Sequence, residues 1–83
     1  SKAVRQQYTD LLNKIKEYDK EIEALDTLLD KYKTLKQLQP EKFQQDMYNK
    51  VFQSKIIKNS EKNKFNESML INTLSKIKER DDK

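Results

Sequence analysis

The chain has 83 residues, of which 39% are charged, and a formal net charge of +4 at pH 7. A chain of this length forms one domain at most and buries a small share of its surface, so assembly commonly supplements its core. It has no glycine, cysteine or histidine and a single proline, which excludes disulfides, thiolate or imidazole metal sites, and the glycine-dependent turns of most non-helical folds. We therefore expect an all-α protein.

The first element is a long helix over about residues 2–38. Its apolar residues alternate at spacings of four and three positions, the pattern of a helix that packs along one seam against another helix. Three leucines beside this seam widen the apolar face, which favours a helical bundle over an isolated zipper. The first-helix seam consists of Val4, Tyr8, Leu11, Ile15, Tyr18, Ile22, Leu25, Leu29 and Tyr32.

A turn is predicted at residues 39–40. Pro40 disfavours helical geometry at Gln39 and has no amide hydrogen to donate, so the first helix should end near Leu38. Proline is tolerated in the first turn of a helix, and Glu41 places negative charge near the positive end of a helix dipole. A second helical arm should therefore begin at once and cover about residues 41–80.

The second arm has a less regular apolar pattern. Between residues 58 and 64 no apolar residue occurs, which predicts an arm that is kinked or interrupted there, either as a loop before a third helix or as a polar patch on one helix. The whole chain, residues 1–83, is still expected to form a single helical domain. The predicted interaction residues of the second arm are Phe43, Met47, Val51, Phe52, Ile56, Phe65, Leu70, Leu74 and Ile77.

Charges of opposite sign are segregated between the two arms. Residues 17–30 carry six carboxylates and one lysine, whereas residues 50–64 carry five lysines and one carboxylate. A chain that folds back at Pro40 sets these stretches opposite each other, with facing residue numbers that sum to about 78. We therefore predict an antiparallel helical hairpin in which Glu21 or Glu23 interacts with Lys55 or Lys58. The same register pairs Tyr32 with Met47, Leu25 with Phe52, Ile22 with Ile56, Tyr8 with Leu70, and Val4 with Leu74.

This register also predicts association between chains. It leaves Ile15 and Tyr18 opposite the polar residues 60–63, with Leu11 and Ile22 nearby on the same seam, and uncovered apolar side chains favour a further partner. We expect a homodimer, as a four-helix-like bundle with these four residues near its core. Another coiled-coil subunit is the alternative partner.

Several function classes lack the residues that they need. Without histidine and cysteine the usual bases, nucleophiles and metal ligands are missing, so we expect neither an enzyme nor a cofactor or metal site. No apolar run approaches the length of a membrane span. We expect an intracellular protein, in cytoplasm or nucleus, and the first residue, Ser1, favours a fragment or processed chain over a complete product.

The sequence thus predicts a non-catalytic coiled-coil module for protein–protein interaction and oligomerisation, a fragment or subunit of a larger assembly. The alternative is a basic helical module that binds nucleic acid, because Lys55, Lys58 and Lys62 share one helical face. Against this alternative, aromatic side chains for base stacking are not interleaved with the lysines.

Overall fold

The computed structural model describes residues 2–81, except for the side chains of residues 77 and 79–81. Helix α1 spans Lys2–Leu38, a short 3₁₀ turn spans Pro40–Lys42, and helix α2 spans Gln45–Asp81. The two helices run antiparallel and pack along their length, which confirms the all-α helical hairpin. The molecule measures 67 × 22 × 14 Å.

The turn follows from the chemistry of Pro40. The Gln39 amide still donates to the Leu35 carbonyl at 2.7 Å, and Gln39 then leaves helical geometry with φ −140° and ψ 67°. Pro40 opens the 3₁₀ turn, which the Phe43 amide closes by donating to the Pro40 carbonyl at 3.2 Å. Phe43 is extended, so the connection is longer than the predicted two residues and α2 begins at Gln45 instead of residue 41.

Helix α2 continues without a break through residues 58–64. Of the two alternatives for this segment, the loop before a third helix is therefore absent from the described backbone, which has the polar patch on one helix instead. No glycine or proline occurs in the segment, so nothing in its backbone chemistry stops a helix, and lysines from this stretch find carboxylate partners on α1. A lapse in apolar residues is compatible with a helix when the polar side chains are paired across the hairpin.

The hairpin buries little of its apolar surface. Leu29 is the one buried residue among the described side chains, with 4% of its surface exposed. It lies near the closed end of the hairpin, within the predicted first-helix seam. Because charged residues are interspersed with apolar ones, no helix within residues 2–81 combines the length and hydropathy needed to cross a membrane.

The first prediction concerns this single buried side chain. Leu29→Ala should lower the free energy of unfolding by about 2–4 kcal/mol, because it removes the best-buried apolar group and leaves a cavity or a collapsed contact. Leu38→Ala is the control, since Leu38 is 76% exposed and its truncation should change stability by less than about 0.5 kcal/mol. Urea unfolding followed by circular dichroism measures both, and equal losses would contradict the assignment of Leu29 as the core.

Candidate interaction surfaces

The face of α2 that packs on α1 is built from lysines as well as apolar residues. Half-buried residues follow one another along this face at spacings of three and four positions, the same periodicity as a coiled-coil seam. Lysine occupies the three central positions. The α1-facing residues of α2 are Tyr48, Val51, Lys55, Lys58, Lys62, Phe65 and Met69.

Each of the three lysines reaches a carboxylate on α1. Lys55 Nζ lies 2.5 Å from Asp26 Oδ1, and Lys58 Nζ lies 2.9 Å from Glu21 Oε2. Lys62 donates a hydrogen bond to Asp19. We call these three pairs the lysine–carboxylate ladder. It confirms the predicted meeting of acidic and basic stretches.

Lys58 contacts groups on both helices. Its pKa is raised above the ordinary value of 10.5, first by the hydrogen bond to Glu21 and then by the negative charge of Glu21, with Glu61 adding to the effect. Glu61 approaches from the same helix, 3.7 Å away. The ammonium also lies 5.9 Å from the centre of the Tyr18 ring, a distance at which a cation is attracted to an aromatic face.

Aromatic contacts flank the ladder on both sides. Toward the open end, the rings of Tyr18 and Phe65 lie 6.2 Å apart, and Lys14 Nζ sits 5.0 Å from the centre of the Phe65 ring. At the closed end, Tyr48 lies between Phe43 and Phe52, at 6.2 and 6.4 Å. These distances fall in the range of favourable ring pairs. The Tyr18–Phe65 pair joins α1 to α2, whereas the closed-end rings pack within the second arm.

The structure places most of the first-helix seam against α2. Leu29 is buried, while Val4 and Tyr8, near the open end, are exposed. The four residues predicted for a dimer core are half-buried within the chain, and Tyr18 contacts Phe65 of α2. The half-buried members of the seam are Leu11, Ile15, Tyr18, Ile22, Leu25 and Tyr32.

The predicted residues of the second arm divide between two faces. Phe43, Val51 and Phe65 are half-buried. Ile77 lies in α2, and its side chain is outside those that the structure describes. The remaining members are exposed: Met47, Phe52, Ile56, Leu70 and Leu74.

The register therefore differs from the predicted one by a small shift and a rotation of α2. The three ladder pairs bring together residues whose numbers sum to about 80. Val51 and Lys55 face α1 where Phe52 and Ile56 were expected, a change of one position or about 100° around the helix. This rotation allows the lysines to reach their carboxylates, whereas the predicted face would turn them away.

Sequence reasoning predicted that Lys55 or Lys58 meets a carboxylate of α1, but it did not include the three ladder lysines among the residues of the packing face. The signal was present as an unbroken three-four spacing from residue 48 to residue 69. The spacing is complete only when lysine is counted as a seam residue. Lysine can occupy such a position because its four-carbon stem covers apolar surface while its ammonium group reaches a carboxylate.

The concave features of the described surface are shallow grooves. One of them, of about 240 Å³, lies at the open end between Tyr8, Leu11, Phe65 and Met69. It is smaller than the roughly 300 Å³ at which small-molecule pockets begin. Within residues 2–81, no group of three acidic, histidine or cysteine side chains is placed to hold a metal ion.

Comparison with known proteins finds no matching family model, no matching curated protein and no matching solved structure.

The second prediction tests the central rung of the ladder. Lys58→Glu and Glu21→Lys should each destabilise the hairpin, because each places two like charges side by side, and the double variant should regain stability by restoring an opposite pair. Glu23→Lys is the matched control, since Glu23 lies two positions away on the same acidic stretch. Thermal unfolding of the four combinations measures the coupling. Equal coupling of Lys58 to residues 21 and 23 would contradict the observed pairing.

The third prediction is a dependence on pH. The folded-state pKa of Lys58 is raised above 10.5, so this pair should stabilise the hairpin fully below that pH and lose its effect as the pH rises through the folded-state value. The difference in unfolding free energy between wild type and Lys58→Met should therefore shrink above pH 10.5. Lys64→Met is the control, because it measures how the loss of any lysine from the same helix changes the unfolding free energy. A difference that stays constant into strong alkali would contradict the pairing.

Proposed function

We propose that the chain is a non-catalytic helical module that associates with copies of itself or with other coiled-coil subunits of a larger assembly. The exposure of its apolar side chains carries this proposal. Eleven large apolar side chains are exposed in the described part of the hairpin, against one that is buried. Exposed apolar side chains that lie one turn apart on the same face, such as Phe52 with Ile56 and Leu70 with Leu74, favour an interaction site.

The thermodynamics of a lone hairpin support the same proposal. Two helices that share one contact leave most of each helix surface in water, and helices draw most of their stability from packing. Full burial of a leucine or isoleucine contributes about 1.5–3 kcal/mol, whereas ordering each residue costs about 1–2 kcal/mol in backbone entropy. A partner that covers the exposed side chains would improve this balance.

The lysine–carboxylate ladder argues against the nucleic-acid alternative. Lys55, Lys58 and Lys62 are the lysines that suggested a phosphate-binding face, and each one contacts a carboxylate of α1. A phosphate would have to displace these carboxylates and approach the acidic stretch of residues 17–30. The charge pattern therefore favours a protein partner over a polyanion.

The fourth prediction tests association directly. Sedimentation equilibrium from micromolar to millimolar concentration should give a mass that rises above 10.0 kDa, and helicity and thermal stability should rise with it because assembly favours the folded state by mass action. Binding to random duplex DNA should be weak.

Two results would contradict this proposal. A monomer that is fully helical and stable at every concentration would show that the hairpin needs no partner. Tight DNA binding that falls steeply with salt would favour the nucleic-acid alternative instead.

A further inference from the structure

Two exposed apolar pairs lie on one side of α2, Phe52 with Ile56 and Leu70 with Leu74. Polar residues, among them Asn63, separate the pairs on this side. We call the four apolar residues together the apolar stripe. Phe52, Ile56 and Leu70 each follow an α1-facing residue by one position, so the stripe lies about 100° around the helix from α1 and opens on the broad side of the hairpin. Asn63 follows Lys62 in the same way and marks the middle of this side.

The apolar stripe is symmetric about Asn63. Phe52 lies eleven residues before Asn63 and Leu74 eleven after it, while Ile56 and Leu70 each lie seven residues away. A second α2 helix running antiparallel would therefore set Phe52 against Leu74 and Ile56 against Leu70. Each of these pairs would occur twice in the dimer, once on either side of the axis. Such self-complementarity is the condition for a two-fold contact between identical chains.

The charges of α1 select the same arrangement. Residues 2–16 carry four cationic side chains and one aspartate, and residues 17–30 carry six carboxylates and one lysine. In the observed register Asn63 lies beside about residue 17 of α1, at the boundary between these stretches. A two-fold axis at Asn63 therefore places the basic stretch of one copy over the acidic stretch of the other, whereas a parallel arrangement would place like charges together.

The available area is also sufficient. The stripe spans about 33 Å of α2 and the broad side of the hairpin is 22 Å wide, so a contact that includes α1 as well as the stripe has a footprint of roughly 700 Å² per copy. This is close to the approximately 800 Å² per partner of a standard stable interface.

We propose that two copies of this chain stack through the apolar stripe, antiparallel, with a two-fold axis at Asn63. This inference rests on the proposed function and names its partner and surface. The polar centre around Asn63 would set the register, as a buried asparagine does in coiled coils. The resulting dimer core consists of α2 residues, in place of the first-helix residues that were predicted.

Disulfide trapping tests the axis, because the chain has no cysteine of its own. At a two-fold axis through Asn63, residue 63 of one copy lies beside residue 63 of the other. The Asn63→Cys variant should therefore form a covalent dimer on mild oxidation. Asn49→Cys is the control, since the proposed arrangement separates the two copies of residue 49 by roughly 40 Å along the helix. Trapping at residue 49 but not at residue 63 would overturn the proposed axis.

Two neighbouring isoleucines test the stripe itself. Ile56 and Ile57 are 52% and 56% exposed, so a lysine at either position costs the isolated hairpin little. Ile56→Lys should raise the dimer dissociation constant by roughly a hundredfold, because it places an unpaired charge in the contact. Ile57→Lys, on another face, should leave the constant unchanged, and sedimentation equilibrium measures both.

The outcomes separate this inference from the proposed function. If the wild type associates but Ile56→Lys and Ile57→Lys change the dissociation constant equally, the apolar stripe is not the dimer contact. The proposed association itself would still hold. A wild type that stays monomeric overturns the two-fold dimer. If that monomer is also fully helical and stable, the proposed function fails with it.

Discussion

Lysines at the centre of the contact between α1 and α2 determine how this hairpin packs. An ammonium group cannot be removed from water without a partner, so α1 must present a carboxylate wherever Lys55, Lys58 or Lys62 meets it. The observed pairs meet this requirement while each lysine head stays near solvent. Individually such exposed pairs add little stability. Together they select one orientation and one register, because sliding or reversing α2 would separate several charges at once.

The position of the lysines also explains where the apolar residues of α2 lie. A helix has room for one residue in each turn at the centre of a contact, and the ladder takes those positions over the middle of α2. Phe52, Ile56, Leu70 and Leu74 are consequently exposed. The inner contact of the hairpin therefore combines ion pairs with half-buried apolar side chains, while several large apolar side chains stay on the outer surface. A self-sufficient globular domain would bury more of them.

Much of the fold could be predicted from the sequence because its signals are local or periodic. Pro40 ends α1, the first-helix seam marks the face of α1, and segregated charges indicate antiparallel arms with Glu21 meeting Lys58. The rotation of α2 could not be predicted from hydropathy, since Val51 and Phe52 are adjacent apolar residues that point in directions about 100° apart. Only the reach of the neighbouring lysines decides between them. The loop that was one alternative for residues 58–64 came from the same omission, because lysine was counted as polar and its stem was ignored.

The two kinds of contact respond in opposite ways to the solvent. Ion pairs at the surface weaken as salt screens their charges, so the inner contact of the hairpin is most stable at low ionic strength. Burial of apolar side chains is little affected by moderate salt and is strengthened by excluded salts such as sulfate. The ladder sets Val51 and Lys55 toward α1 in place of Phe52 and Ile56, so the exposure of Phe52 and Ile56 depends on the same rotation of α2. The ladder therefore does more than join the helices. By keeping α2 in its observed rotation, it keeps the apolar stripe available for a partner.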